Sequence, residues 1–203
     1  GELIKQALDR EVKKIILCIG GSATVDAATG IMQALGVKFY DHNADELQNL
    51  PASLINLHRI NLSGIDKRLQ DTELIVLCDV ENTLLGSNGA ATTFGPQKGA
   101  SEKDVQQLEN AVARFRSVIF DKTGKDMAAV KYGGAAGGVA AGLYALMEAK
   151  LVNGIDFFLD LTGFDTALQQ ADLVITGEGS IDTQTLQGKA PFGVAKRAKQ
   201  KSI

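Results

Sequence analysis

Apolar residues recur every three to four positions at Leu3, Ile4, Ala7, Leu8 and Val12, with Glu2, Lys5, Asp9 and Arg10 between them, so residues 2–13 are predicted to form an amphipathic helix. Continuous apolar runs then appear at Ile15 to Ile19 and within residues 72–79. Short runs of this kind, bounded by polar turns, read as strands buried on both faces. The pattern along the rest of the chain gives helix 25–35, strand 36–40, an irregular stretch 41–71, strand 72–79, loop 80–101, helix 102–121, loop 122–134 and helix 135–150. A short strand near 155–159, helix 162–170, strand 171–176 and helix 190–200 complete the order. Strands that alternate with helices argue an α/β protein built on a mostly parallel sheet flanked by helices. The opening helix feeds straight into a buried strand, residue 1 is Gly, and the last helix leaves the run Leu173 to Thr176 with no strand after it. A parallel crossover needs a strand at each end, so a piece of a longer chain is expected.

Composition changes this picture little. The 203 residues are 45% hydrophobic and 22% charged, which suits a globular chain that buries roughly 70% of its unfolded surface. Twenty-one basic residues against 24 acidic ones, net −3, create no field to gather a polyanion, so neither nucleic acid nor membrane is expected as a partner. No apolar run approaches the length needed to span a bilayer. Cys18 and Cys78 lie within apolar runs and read as reduced core thiols of a cytoplasmic protein. With no Cys-x-x-Cys and only His42 and His58, both expected at the surface, an ordinary zinc site is excluded. Glycine is the exception. Its 22 residues, against 3 prolines, bunch at the ends of predicted strands, where backbone is expected to approach something closely.

Four such turns carry candidate chemistry. Gly20, Gly21, Ser22 and Thr24 link a strand to the predicted helix Val25 to Leu35, the geometry in which free amides meet a phosphate or carboxylate; a plain turn with a Ser or Thr cap is the alternative. The segment misses both the Walker pattern and the nucleophile elbow, since Thr24 stands where the elbow needs glycine. Asp79 arrives at the carboxyl end of the 72–79 strand, where it could hold magnesium, orient a hydroxyl, accept its proton, or merely cap a turn. The polar loop after it carries Lys98, able to reach a phosphate or to stay solvated. Gly133 to Gly138, with Gly137 and Gly138 at a helix start, permit either close backbone packing or a second anion site. Gly177 and Gly179 flank Glu178, Asp182 follows, and Lys189 stands just before Pro191 at the first turn of a helix. Acids, lysines and glycine turns with no histidine nearby suit phosphoryl transfer, which depends on positioning and charge neutralisation; acyl transfer would want a base near Ser22.

The segments Ile19-Gly20-Gly21-Ser22-Ala23-Thr24-Val25-Asp26, Cys78-Asp79-Val80, Phe94-Gly95-Pro96-Gln97-Lys98-Gly99-Ala100, Gly134-Ala135-Ala136-Gly137-Gly138 and Val174 to Asp182 through Gly188-Lys189 resemble the bacterial class I glycerate kinases, in that family's order. The resemblance implies ATP-dependent, Mg2+-dependent phosphorylation of D-glycerate to phosphoglycerate, with 2-phosphoglycerate favoured over 3-phosphoglycerate. It implies an inserted α/β domain over residues 1–170 and, over 171–203, a strand–helix unit of a flavodoxin-like domain, together the middle of a longer protein. A non-catalytic ligand-binding or folding fragment is the alternative, and a homo-oligomer is possible. On this basis Asp79, Glu178, Asp182 and Lys98 are expected to be catalytic, with Asp79 and Glu178 on the metal. Gly20, Gly21, Ser22, Thr24, Gly137, Gly138, Gly177, Gly179 and Lys189 are expected to bind substrate or phosphate. Ala27-Ala28 departs from the family, which commonly has paired glycines there, and two methyl groups are expected to crowd any substrate that backbone approaches.

Overall fold

A computed structural model describes residues 1–180, 189–201 and 203. It contains a three-stranded parallel sheet and a small antiparallel ribbon, packed among helices. Strands β1 (Lys14–Cys18), β4 (Glu73–Cys78) and β5 (Lys150–Asn153) form the sheet in the order β1-β4-β5, and β2 (Lys38–Tyr40) pairs antiparallel with β3 (Arg59–Asn61). The helices are α1 (Glu2–Leu8), α2 (Thr29–Ala34), α3 (Ala90–Phe94), α4 (Glu102–Thr123), α5 (Ala135–Met147), α6 (Gly154–Leu161), α7 (Phe164–Leu168) and α8 (Ala190–Gln200). The α/β class with a parallel sheet is thus as the sequence pattern indicates.

Position in the sheet decides how each strand uses its side chains. Central β4 is covered on both faces, with Leu74, Ile75, Val76 and Cys78 all buried. Edge strand β1 is covered on one face only, so Ile16 and Cys18 are exposed; the expected burial on both faces, and a core location for Cys18, do not hold. Helix α4 starts at a capping box, in which Ser101 and Asp104 satisfy each other's backbone amides, and stops at Gly124 in the left-handed region. Its stripe of Ala111, Val112, Phe115, Val118 and Ile119 is buried, and Phe115 meets Phe39 of β2 edge-on at 6.0 Å.

Several predicted elements differ. Helix 2–13 ends at Leu8, helix 25–35 starts only at Thr29, and the loop 80–101 contains α3. The irregular stretch 41–71 contains β3, which β2 recruits. The expected strand near 155–159 is helix α6, because the Asn153 side chain accepts the Asp156 amide at 3.0 Å and caps a helix there; the strand of this region is β5, just before it. Residues 171–176 form no strand, and Leu173 and Ile175 are exposed. The sheet of β1, β4 and β5 offers that segment no neighbour, and an extended run without a ladder partner gains nothing over solvation. Helix α8 packs on α6, where Arg197 reaches Asp160 at 2.8 Å and Asp156 and Asp165 at 3.3 Å.

Candidate functional site at the carboxyl end of the sheet

Parallel pairing brings the ends of the strands together. Cys18 lies opposite Leu77 and Cys78 opposite Asn153. The Gly20-Gly21 turn follows β1 and Asp79 follows β4 at this same end of the sheet. Gly21 takes φ +70°, and a Cβ added at either Gly20 or Gly21 would meet no atom within 4 Å. The turn therefore has open space beside it. Asp79 is exposed there, and its charge together with burial pushes the neighbouring Cys78 thiol up to about 12.

Lys98 comes from a different part of the chain. A short 3-10 turn, Pro96–Lys98, follows α3 and aims the side chain back at the glycine turn. Its ammonium donates to Ser22 Oγ at 2.8 Å and to the Thr24 carbonyl at 2.7 Å. Burial lowers the Lys98 pKa, and the negative charge of Asp26 works against that lowering. The side chain is therefore held at the turn rather than simply solvated.

Asp26 is the residue that pattern reading passed over. It is buried, and its carboxylate accepts the Thr24 hydroxyl at 3.2 Å, the Thr29 hydroxyl at 3.4 Å and the Gly30 amide at 3.0 Å. Its signal in the sequence is an acid enclosed by Val25 and Ala27-Ala28. Asp26 thus occupies the start of α2, and Lys98 brings a positive charge to the turn before it.

Ala27 and Ala28 adopt φ +49° and +68° and are wholly buried. Their methyl groups are packed in the core. The Ala27 amide donates to the Gly137 carbonyl at 3.0 Å. Ala136, Gly137 and Gly138 are all left-handed, and a Cβ at Gly137 would stand 2.1 Å from the Thr24 carbonyl. Gly137 and Gly138 thus serve close backbone packing, which shapes the turn from behind.

Glu178 and Lys189 pair at 3.7 Å on the approach to α8, with exposed Gly177 and Gly179 beside Glu178. Asp182 and Gly188 lie outside the described residues. Among the described residues no group of three or more His, Cys, Asp or Glu side chains converges as a metal site. Mg2+ is usually held by one or two carboxylates together with phosphate oxygens and water, and Asp79, exposed just after β4, fits that mode. No described helix is long and apolar enough to cross a membrane.

Comparison with known proteins places this geometry in context. The family model described as "Glycerate kinase family" matches residues 1–203. A glycerate kinase of Halalkalibacterium halodurans is 45% identical over 203 residues, covering 100% of this chain and 53% of its own length. A glycerate 2-kinase of Escherichia coli is 45% identical over 200 residues, 98% of this chain and 52% of its own. A crystal structure from Salmonella typhimurium LT2, of a protein provisionally named glycerate kinase 2, superposes with a TM-score of 0.84 at 44% identity, covering 98% of this chain and 53% of that one. The chain spans about half the length of the curated relatives it matches.

Proposed function

The chain belongs to the glycerate kinase family over its whole length, and on that premise we propose that it carries the phosphate-handling part of an enzyme that transfers the γ-phosphoryl group of ATP to D-glycerate. The product is phosphoglycerate, with 2-phosphoglycerate favoured. The name of the Escherichia coli relative, glycerate 2-kinase, supports that choice of hydroxyl.

The observation that carries the reading is the Lys98–Ser22–Thr24 clasp. A lysine ammonium has three N–H donors, and two of them rest on Ser22 Oγ and the Thr24 carbonyl. The third is available to an incoming anion. Ser22 accepts from Lys98 and keeps its own O–H to donate, so the clasp offers two convergent donors beside the open Gly20-Gly21 backbone. They neutralise and orient the transferred phosphoryl group, while Asp79 orients or deprotonates the accepting hydroxyl. Mg2+, held by Asp79 and Glu178, would contribute charge neutralisation at the phosphate oxygens. Glu178, Asp182 and Lys189, with Gly177 and Gly179, form the second half of the site. In this proposal residues 1–170 are the inserted domain, 171–203 belong to the flavodoxin-like one, and the enzyme is cytoplasmic.

A coupled assay of the full-length protein with ATP, Mg2+ and D-glycerate tests the reading. Turnover to 2-phosphoglycerate, identified by NMR, is expected; turnover of a different hydroxy acid with none of D-glycerate would overturn it. The share of the relatives' length that this chain spans favours a second reading for residues 1–203 by themselves, namely ligand binding without turnover. Calorimetry of this chain with glycerate and with Mg-ATP separates the two, since turnover by residues 1–203 alone excludes the second.

A further inference from the structure

Asp26 has an unusual set of partners for a buried carboxylate. Only 9% of its surface is exposed, and taking such a charge out of water is costly unless opposite charge and hydrogen bonds compensate. Its recorded bonds come from neutral donors of its own turn: Thr24 Oγ1 on one oxygen, Thr29 Oγ1 and the Gly30 amide on the other. Its negative charge acts on Lys98. Yet Lys98 does not bond the carboxylate. It bonds Ser22 Oγ and the carbonyl of Thr24, the residue whose side chain Asp26 grips. A direct ion pair would consume one of the ammonium donors; this indirect arrangement leaves that donor unspent on Asp26.

We propose that Asp26 is a positioning residue for Lys98, gripping Thr24 so that its carbonyl and Ser22 Oγ form a fixed two-acceptor seat for the ammonium, and supplying the opposing charge from behind that seat. The inference rests on the reading of Lys98 as a phosphate-binding group. Three observations support it. The segment from Thr24 to Ala28 is clamped from the core side by Gly137 and Gly142, whose added Cβ atoms would stand 2.1 Å from the Thr24 carbonyl and 2.0 Å from the Ala27 carbonyl. The Ala27 amide is fixed on the Gly137 carbonyl. Ala27 and Ala28 are held left-handed, at a cost that non-glycine residues tolerate only when the surroundings dictate it. The backbone of the seat is thus packed from the core side, and the Asp26–Thr24 bond holds the Thr24 side chain to it.

A double-mutant cycle on the full-length enzyme tests this, with ATP and D-glycerate as substrates. Lys98→Ala is expected to lower kcat/KM by about 100-fold, the usual scale for losing one preorganised charge-stabilising donor. Asp26→Asn is expected to lose about 10-fold, mainly in kcat, with the KM for glycerate moving less than about threefold, because the affected contact strengthens toward the transition state. The decisive comparison is the double variant: if Asp26 acts through Lys98, D26N/K98A is no worse than K98A. Losses that multiply, or a D26N enzyme with unchanged kcat, would overturn the positioning role while leaving Lys98 intact. A fully active K98A enzyme would instead overturn the phosphate reading itself. Should D26N fail to fold, Thr24→Val, which removes the grip but keeps the carbonyl and the carboxylate, carries the same test, and its effect must likewise vanish in the K98A background.

Discussion

Lys98 is drawn partly out of water and onto two neutral acceptors, and both features are measurable. Its folded pKa is lowered, chiefly by burial, so between that value and the ordinary 10.5 the unfolded chain binds more protons than the native one. Stability contributed by this group therefore rises with pH through that window and is least where the ammonium is fully charged. Subtracting the unfolding free energy of Lys98→Met from that of the wild type across this range is expected to give a positive slope; a flat or negative difference would contradict the burial. The two thiols separate in the same manner. Cys18 is exposed on the edge strand, whereas Cys78 is buried and its pKa is pushed up to about 12. In native protein at neutral pH, a thiol reagent is expected to label Cys18 alone, and denaturant to release a second equivalent; mass mapping would detect any label on native Cys78. The sequence placed both cysteines in apolar runs, and nothing in a five-residue run tells an edge strand from a central one. Asp26 was obscured for a related reason: its role depends on Lys98, 72 positions away by number, and that meeting leaves no local trace.

At the scale of elements, the long and strongly periodic pieces were legible. Helix α4 matches its predicted span within two residues, because a capping box at one end and Gly124 at the other mark it in residues that act locally. Strands β1 and β4 are legible as short apolar runs bounded by polar turns. The exchange of strand for helix around residues 150–161 arose because the apolar residues Ile155, Phe157, Phe158 and Leu159 suit either form, and the arbiter is a single Asn153 cap. The glycine run before α5 shows its purpose only in three dimensions. Gly142 lies inside a helix, where alanine is ordinarily favoured by about 1 kcal/mol. Here an added Cβ would stand 2.0 Å from the Ala27 carbonyl. Gly142→Ala is therefore expected to destabilise by about 1–3 kcal/mol, the scale of core overpacking, rather than stabilise; thermal unfolding of that variant decides the sign. Arg116 and Asp126 make a bidentate link, at 2.8 and 2.6 Å, between α4 and the connection to α5. The hydrogen bonds from Arg116 hold the Asp126 carboxyl below its ordinary 3.8, so its stabilisation is present above that value and disappears as pH falls through the lowered one. Solvent screening keeps it under about 1 kcal/mol. Arg116→Gln is expected to cost that much at neutral pH and nothing in strong acid, as denaturant titrations at both pH values would show.

For the molecule as a whole, the parallel sheet does the organising: it brings the Gly20–Ser22 turn and Asp79 to its carboxyl end, and α3 and the turn after it return Lys98 to Ser22. The α/β class and the family resemblance were legible because both are carried by short contiguous motifs. The strand expected over 171–176 was not. Its apolar residues read as a strand, but a strand is a property of a sheet, and β1, β4 and β5 give it no neighbour. Among the contacts that tie α8 to α6 and α7 are those of Arg197, bonded to Asp156, Asp160 and Asp165. Arg197→Met is expected to speed amide exchange throughout residues 190–200 and to leave α4 unchanged, which hydrogen-exchange mass spectrometry resolves. The central claim concerns the clasp, and the most direct measurement is a crystal structure of the full-length enzyme with a non-hydrolysable ATP analogue, Mg2+ and D-glycerate. A terminal phosphate oxygen within about 3.2 Å of Lys98 Nζ, with Ser22 Oγ and Asp79 around the same group, is the predicted result; a nucleotide phosphate bound far from Lys98 and Ser22 would contradict it.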